Sequence, residues 1–417
     1  MTEHINLKKI DQNTAKLLAL FFAESPNTNW AKDKTYTLKN GIELTFSNDL
    51  YKRKRKERTQ GDRSSYKEGV RYEVISNKQA IGRGAYGSVF KIKGTLALDE
   101  HSFRFKKFGE DGKGRVVKVQ CHNDKYPLTK LDIEYKLTHR AGHMAIKPPT
   151  IAANERFPIS FTTMNELTGI KLSTIIEEDY LQINVLTSKQ RADICKALLK
   201  ALKEQVSSTG IIHRDIKPEN IFVDLNDPIN ATIFDYGLST EAATPDGERR
   251  GTPIYMAPEI DSNPEGINTK LDVYCMARVM ALLWRVDRSE SYNKNNNIKS
   301  FTIWKMCNSV WLPEKKLEGL FQGLNDLHPD KADAIRKTLL AMLQTSPLGR
   351  ISIDEAINLF PSIENNESDL TTGCEKQDDH NQEIVCSTLN SYSLFNSNKS
   401  IEPEINRSNT ENFALVK

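Results

Sequence analysis

The stretch that most constrains this chain is His213-Arg214-Asp215-Ile216-Lys217-Pro218-Glu219-Asn220. It puts a carboxylate, an amine and a carboxamide at fixed offsets on what reads as one short, rigid loop. Phosphoryl transfer to a hydroxyl needs that set. The acid orients the hydroxyl and accepts its proton, the amine steadies charge on the moving group, and the amide holds a metal ion. Seven specified residue types in one window make this a strong motif by itself.

Further signatures flank the loop. Gly82-Arg83-Gly84-Ala85-Tyr86-Gly87-Ser88-Val89 lies between two strand-like runs, 71–75 and 89–92, and does not open a helix. That placement favours a phosphate-covering hairpin over a dinucleotide-binding turn. Glycine suits such a hairpin because a Cβ would hold backbone N–H groups away from phosphates. Val116-Val117-Lys118-Val119 is a short apolar run with one lysine inside it. Ile233-Phe234-Asp235-Tyr236-Gly237 reads as a buried strand ending in an acid, and Gly251-Thr252-Pro253-Ile254-Tyr255-Met256-Ala257-Pro258-Glu259 follows. In this order and at these spacings the motifs resemble those of eukaryotic-type protein kinases. Lys217 and Thr252 resemble the serine/threonine branch, and the resemblance covers residues 71 to about 360.

The resemblance implies an α+β fold of two lobes, a small β-rich one over 71–166 and a larger helical one over 167–361. It implies ATP and Mg²⁺, with Asp215 as catalytic base beside Lys217, Asn220 and Thr252, and with Asn220 and Asp235 as metal ligands. Around the nucleotide it implies Ile81, Gly82, Gly84, Gly87, Val89, Val116, Lys118, Glu134, Met164, Asn165, Leu167 and Phe222. Lys118 would grip the α- and β-phosphates while paired with Glu134, or with Asp132 as the fallback. Met164 matches the residue that limits the depth of the adenine pocket, and Asn165 and Leu167 would bond the base through their backbone. Asp272 resembles the acid that steadies the catalytic loop, and Glu259 would pair with Arg350. Arg214 would bind a phosphate on the activation segment, the candidate acceptors being Ser239, Thr240 and Thr244. Glu219 resembles an acid that binds basic substrates, while Lys171 stands where basophilic kinases often carry a second acid. The implied partner is a protein with a Ser or Thr acceptor. Two other readings share the fold: a catalytically weak scaffold and a nucleotidyl transferase.

Outside the resemblance, residues 1–70 read as an extension. Tyr36–Leu44 alternates around Asn40-Gly41, a hairpin signal, and Lys52–Lys56 is a basic run expected as a solvated loop or strand end. Leu17–Ala23 reads as an amphipathic helix packing on the rest, and it is a poor signal peptide. The stretch from Gly94 to Gly114 suggests an exposed hairpin or insertion. Thr187-Ser188-Lys189-Gln190 and Ser352-Ile353-Asp354-Glu355 are capping boxes opening helices. Residues 362–417 are rich in Asn, Ser and Glu and read as a disordered tail. With the extension and the insertion, that tail also resembles kinases that intracellular bacteria inject into host cells, which implies host proteins as partners.

Composition bounds the rest. A net charge of +3 is too small to imply nucleic acid, and 38% hydrophobic with 27% charged residues suits a soluble chain. No run approaches the roughly 18 apolar residues of a membrane span. Six scattered cysteines read as free thiols in a reducing, cytosol-like compartment.

Overall fold

Aromatic packing organises the N-terminal elements of this computed structural model, which describes residues 2–7, 10–59, 62–76, 79–84, 87–99, 102–107, 114–152, 157–284 and 322–364. Strand β1 (Thr2–Ile5) precedes helix α1 (Gln12–Glu24), whose first turn is capped by the Asp11 carboxylate accepting from the Thr14 amide at 2.7 Å. Ala15, Leu18, Phe21 and Phe22 form the buried stripe of α1, as the helical period demands. Next come β2 (Asn29–Trp30), β3 (Thr35–Thr37) and β4 (Glu43–Phe46). β3 and β4 form the hairpin read from the sequence, with Tyr36 opposite Leu44. β1 lies parallel to β4. The rings of Phe21, Phe22, Trp30, Phe46 and Tyr72 share one core, where Phe22 stacks on Tyr72 with centroids 3.8 Å apart.

A long sheet follows. β5 (Leu50–Thr59), β6 (Asp62–Ile75), β7 (Gly82–Gly84), β8 (Gly87–Asp99), β9 (Ser102–Lys107), β10 (Arg115–Cys121), β11 (Thr150–Ala152) and β12 (Ile159–Asn165) belong to it. The strand order is β11-β12-β10-β8-β6-β5-β2, with β7 and β9 both paired to β8. The basic run at 52–56 is not a loop: it lies within β5, paired to β6 from Lys52↔Tyr72 to Lys56↔Glu68. Strand alternation turns Arg53 inward, where its guanidinium meets the fully buried Glu73 carboxylate at 2.6 Å. The hairpin expected after Gly94 is formed by β8 and β9, but its base is not exposed. Leu96 is fully buried there, and Phe105 packs against the same aromatic core. Helix α2 (Leu128–Ala141) completes this lobe.

The second lobe is mainly helical. β13 (Ile170–Lys171) leads into α3 (Leu172–Tyr180), then α4 (Ser188–Ala201) opens at the expected capping box of Thr187 and Gln190. α4 continues as a π-helical turn, Leu202–Val206, and ends at Gly210. The short strands β14 (Ile211–Ile212), β15 (Ile221–Asp224), β16 (Asn230–Ile233) and β17 (Thr240–Glu241) carry the loops between the lobes. α5 (Glu259–Ser262), α6 (Lys270–Leu283), α7 (Pro329–Met342) and α8 (Ile353–Leu359) follow. Ser352 and Glu355 form the second capping box, at the start of α8. Every residue of α6 from Leu271 to Leu283 is buried, so it is the central post of the larger core. The architecture is the expected two-lobed α+β one. The tail expected from 362 lies almost wholly outside the described residues, as do Ala85 and Tyr86 of the glycine motif. Cys121, Cys195 and Cys275 are free thiols, and no described helix is long and apolar enough to cross a membrane.

Candidate active site

The loop after β14 is pinned from below. The amides of His213 and Arg214 donate to the two oxygens of Asp272 on α6, at 2.6 and 2.9 Å. Burial pushes Asp272's pKa up to about 7, against those two donors and the Arg214 charge. Arg214 sits at φ +66°, a strained backbone that this anchoring holds in place. His213 is also fixed: its Nδ1 accepts from the Asp215 amide at 3.3 Å and its Nε2 donates to the Phe234 carbonyl at 3.2 Å. Burial lowers its pKa, so it stays neutral at neutral pH.

The four expected catalytic residues converge. One Asp215 oxygen accepts the Thr252 hydroxyl at 2.6 Å, and the other meets Lys217 Nζ at 2.7 Å and Asn220 Nδ2 at 2.9 Å. Lys217 also donates to Thr252 at 3.0 Å. Thr252 reaches this point because Gly251 (φ +134°) passes the Arg214 carbonyl, which a Cβ there would meet at 2.6 Å.

The side where the nucleotide residues were expected is built on β8, β10 and β12. Lys118 pairs with Val89 on one side and Thr162 on the other, and Val116 pairs with Met164. Directly paired residues share a face, so Val89, Val116, Met164 and Lys118 line one wall. Lys118 Nζ bonds Glu134 at 2.6 Å and Asp235 at 3.4 Å. Burial opposes its charge, but Glu134 and Asp235 outweigh that and raise its pKa. The fallback Asp132 pairs instead with Lys136 one turn along α2. The Lys118 charge first, then the Lys118 hydrogen bond and the Lys217 charge, outweigh burial and lower the pKa of Asp235 from its ordinary value. An ionised carboxylate and a carboxamide are oxygen donors that fit a hard divalent cation. At the strand end, the Asn165 amide is used by the Met144 carbonyl, while Leu167 packs against the large core. Phe222 rests on Phe234 with ring centroids 5.2 Å apart, and Ile81 is exposed at the lip. A Cβ on Gly82 or Gly84 meets nothing closer than 3.8 Å, whereas one on Gly87 would strike the Val119 carbonyl at 2.2 Å. Gly87 is therefore required by strand packing, independently of any phosphate.

Two sets of residues were missed by sequence reasoning. Glu134 is held by the Tyr126 hydroxyl and by Gln120 as well as by Lys118. Arg214, expected to bind a phosphate on the activation segment, has its fork filled here by both oxygens of Asp246, at 2.5 and 2.9 Å. Its remaining donors reach the carbonyls of Leu238 and Glu248. Of the expected phosphate acceptors, Ser239 and Thr240 are buried and hydrogen-bonded inward, while Thr244 is exposed. Weighing acids beside hydroxyls in 236–250 would have found Asp246. Elsewhere the segment is tied as expected: Arg350 forks onto Glu259 at 2.5 and 2.9 Å. Tyr236, where the resemblance has phenylalanine, is buried and donates its hydroxyl to the Gln205 carbonyl in the π-helical turn at 3.1 Å.

Comparison with known proteins agrees with this geometry. The protein kinase domain family matches residues 75–359. The bovine (Bos taurus) phosphorylase b kinase gamma catalytic chain, liver/testis isoform, is 27% identical over 185 residues, 43% of this chain and 42% of its own. A serine/threonine-protein kinase of Drosophila persimilis is 26% identical over 294 residues, 69% of this chain and 34% of its own. The rat (Rattus norvegicus) interferon-induced, double-stranded RNA-activated protein kinase is 27% identical over 229 residues, 51% of this chain and 41% of its own. The chain thus spans less than half the length of these relatives. Lobes, anchored loop and matched span agree, and the chain belongs to the protein kinase domain family.

Proposed function

We propose that this domain transfers the γ-phosphoryl group of ATP to serine or threonine hydroxyls of protein substrates. The observation that carries the reading is Asp215, whose carboxylate is shared by Thr252, Lys217 and Asn220 at 2.6–2.9 Å. In that setting Asp215 orients the acceptor hydroxyl and takes its proton late, while Lys217 steadies charge on the transferred group. Lys118, held by Glu134, grips the α- and β-phosphates. Asp235 and Asn220 would hold Mg²⁺, which would neutralise phosphate charge when bound. Val89, Val116, Met164, Leu167 and Phe222 take the base, and Gly82 and Gly84 let the backbone cover the phosphates.

Serine/threonine preference is supported by Lys217 two residues after Asp215 and by the hydrogen bonds of Thr252 to both. A loop already held by Asp246 supports activity without a phosphate on the activation segment. A host-cell substrate is supported by the resemblance carried by the extension, the insertion and the composition of 362–417. The test uses ATP labelled at the γ-phosphate, a generic protein acceptor and phosphoamino-acid analysis. Labelled phosphoserine or phosphothreonine is expected. Label on tyrosine alone, or transfer of AMP in place of phosphate, would contradict the proposal.

A further inference from the structure

Glu134 has more partners than an ion pair with Lys118 requires. One carboxylate oxygen takes Lys118 Nζ at 2.6 Å, and the other accepts the Tyr126 hydroxyl and Gln120 Nε2, the latter at 3.4 Å. These residues all belong to one strand–turn–helix segment, 118–134. Lys118 and Gln120 share a face of β10, Tyr126 ends the turn, and Glu134 lies nearly two turns into α2.

The turn is itself rigid. Asn123 Oδ1 accepts the amides of Lys125 and Tyr126 at 3.0 and 3.1 Å. His122 stacks on the Tyr126 ring at 5.5 Å; its Nδ1 lies 3.3 Å from the Tyr126 carbonyl and its Nε2 lies 2.8 Å from Ser160 Oγ on β12. Tyr126 is only 4% exposed. Burial first, and then the Glu134 charge, raise its pKa, so the hydroxyl keeps its proton and remains a donor. Helix α2 in turn has no side-chain cap at Pro127 and no acid in its first turn. Its own terminus therefore contributes little to setting its orientation. The tie from Tyr126 to Glu134 anchors α2 on this side, beside the packing of its buried Leu131 and Leu137.

We propose that Tyr126, supported by Gln120, is a positioning residue for phosphoryl transfer. It holds Glu134, and through it Lys118, in the arrangement that the nucleotide requires. Segment 118–134 thereby sets α2 in place with no partner protein and no modification. This rests on the kinase reading above and adds to it a residue that touches neither nucleotide nor acceptor.

The test is a double-mutant cycle on the full chain, comparing wild type, Tyr126→Phe, Glu134→Gln and the double variant, with kcat, KM for ATP, KM for the protein acceptor and Tm measured for each. Tyr126→Phe keeps the ring and removes one hydrogen bond to a charged group, so kcat/KM for ATP should fall about 10-fold. Tm should fall by no more than a few degrees, as for any lost buried hydrogen bond, and KM for the acceptor should stay unchanged. In the Glu134→Gln background the same substitution should have little further effect, because the group it acts through has lost its charge. Wild-type kcat/KM for ATP in Tyr126→Phe, or an equal 10-fold loss in the Glu134→Gln background, would overturn the proposal. An Asp215→Asn control in the same assay separates the two readings: transfer that survives it would overturn the kinase reading instead.

Discussion

Asp246 shows how a single side chain can change what a site needs. Arg214 is fully buried, and a buried guanidinium without an anion is costly. Asp246 supplies that anion, so Asp246→Asn should lower turnover about 10-fold, as loss of a charge-assisted pair predicts, without altering the sites on Glu134 or Asp272. Burial alone would raise the pKa of Asp246. The Arg214 hydrogen bond, the Glu248 amide and the charges of Arg214 and Arg250 outweigh burial and hold it below its ordinary 3.8. A depressed carboxylate stabilises the fold above its ordinary pKa and loses that contribution as pH falls through the folded value. Denaturation curves of wild type and Asp246→Asn should therefore differ by a constant amount from about pH 5 to 8, and the difference should shrink only as pH falls through the folded value, below the ordinary 3.8. Lys118→Met and Asp235→Ala should each cut kcat at least about 100-fold, the scale for removing one preorganised charge, with the fold retained by circular dichroism; wild-type rates in either would contradict their roles. Asp215, Lys217 and Asn220 were legible in sequence because one contiguous loop carries them. Tyr126 and Asp246 were not, because a lone tyrosine or aspartate acquires a role only when the chain path brings it to Glu134 or Arg214.

Elements differ in how locally they are encoded. Both capping boxes were readable because cap and acceptor lie three residues apart, and the helices start where those boxes stand. Thr187→Ala should cost about 1 kcal/mol of stability, the usual loss for an N-cap, measured by urea denaturation. Strand β5 was not readable, since Lys52–Lys56 offers no apolar alternation and the burial of Arg53 depends on Glu73, twenty positions away on β6. The β8–β9 hairpin was legible as a hairpin, but its burial was not, because the surface it covers comes from α1 and the strands beside it. On α1, Phe22→Ala removes a ring that stacks on Tyr72 and meets Trp30 edge-on at 4.8 Å. It should cost about 3–5 kcal/mol, the range for deleting a buried aromatic. A loss below 1 kcal/mol would mean that α1 is not docked as described.

At the scale of the whole molecule, the described residues of 2–50 act as a wall of the small lobe. Their core includes Tyr72, Val74 and Leu96, which stand on strands of the kinase sheet. Tyr51 of β5 also bonds Thr163 of β12 at 2.7 Å, on the face of the sheet away from Lys118. A chain lacking residues 1–46 should expose those apolar groups, melt at lower temperature and bind a hydrophobic dye, while Asp215 and its partners remain encoded. The two lobes and the site between them followed from ordered motifs. The wall did not, because nothing in a sequence states which exposed sheet face a preceding segment will cover. What unites residue, element and molecule is the claim that this scaffold holds Asp215 ready to accept a proton from a protein hydroxyl. The most direct measurement is the rate of phosphate incorporation from Mg-ATP into a protein acceptor, wild type against Asp215→Asn, with product mass and modified residue determined. The account predicts phosphate on serine or threonine, with a rate at least about 100-fold lower in the variant. Equal rates, or an AMP adduct in place of phosphate, would contradict it.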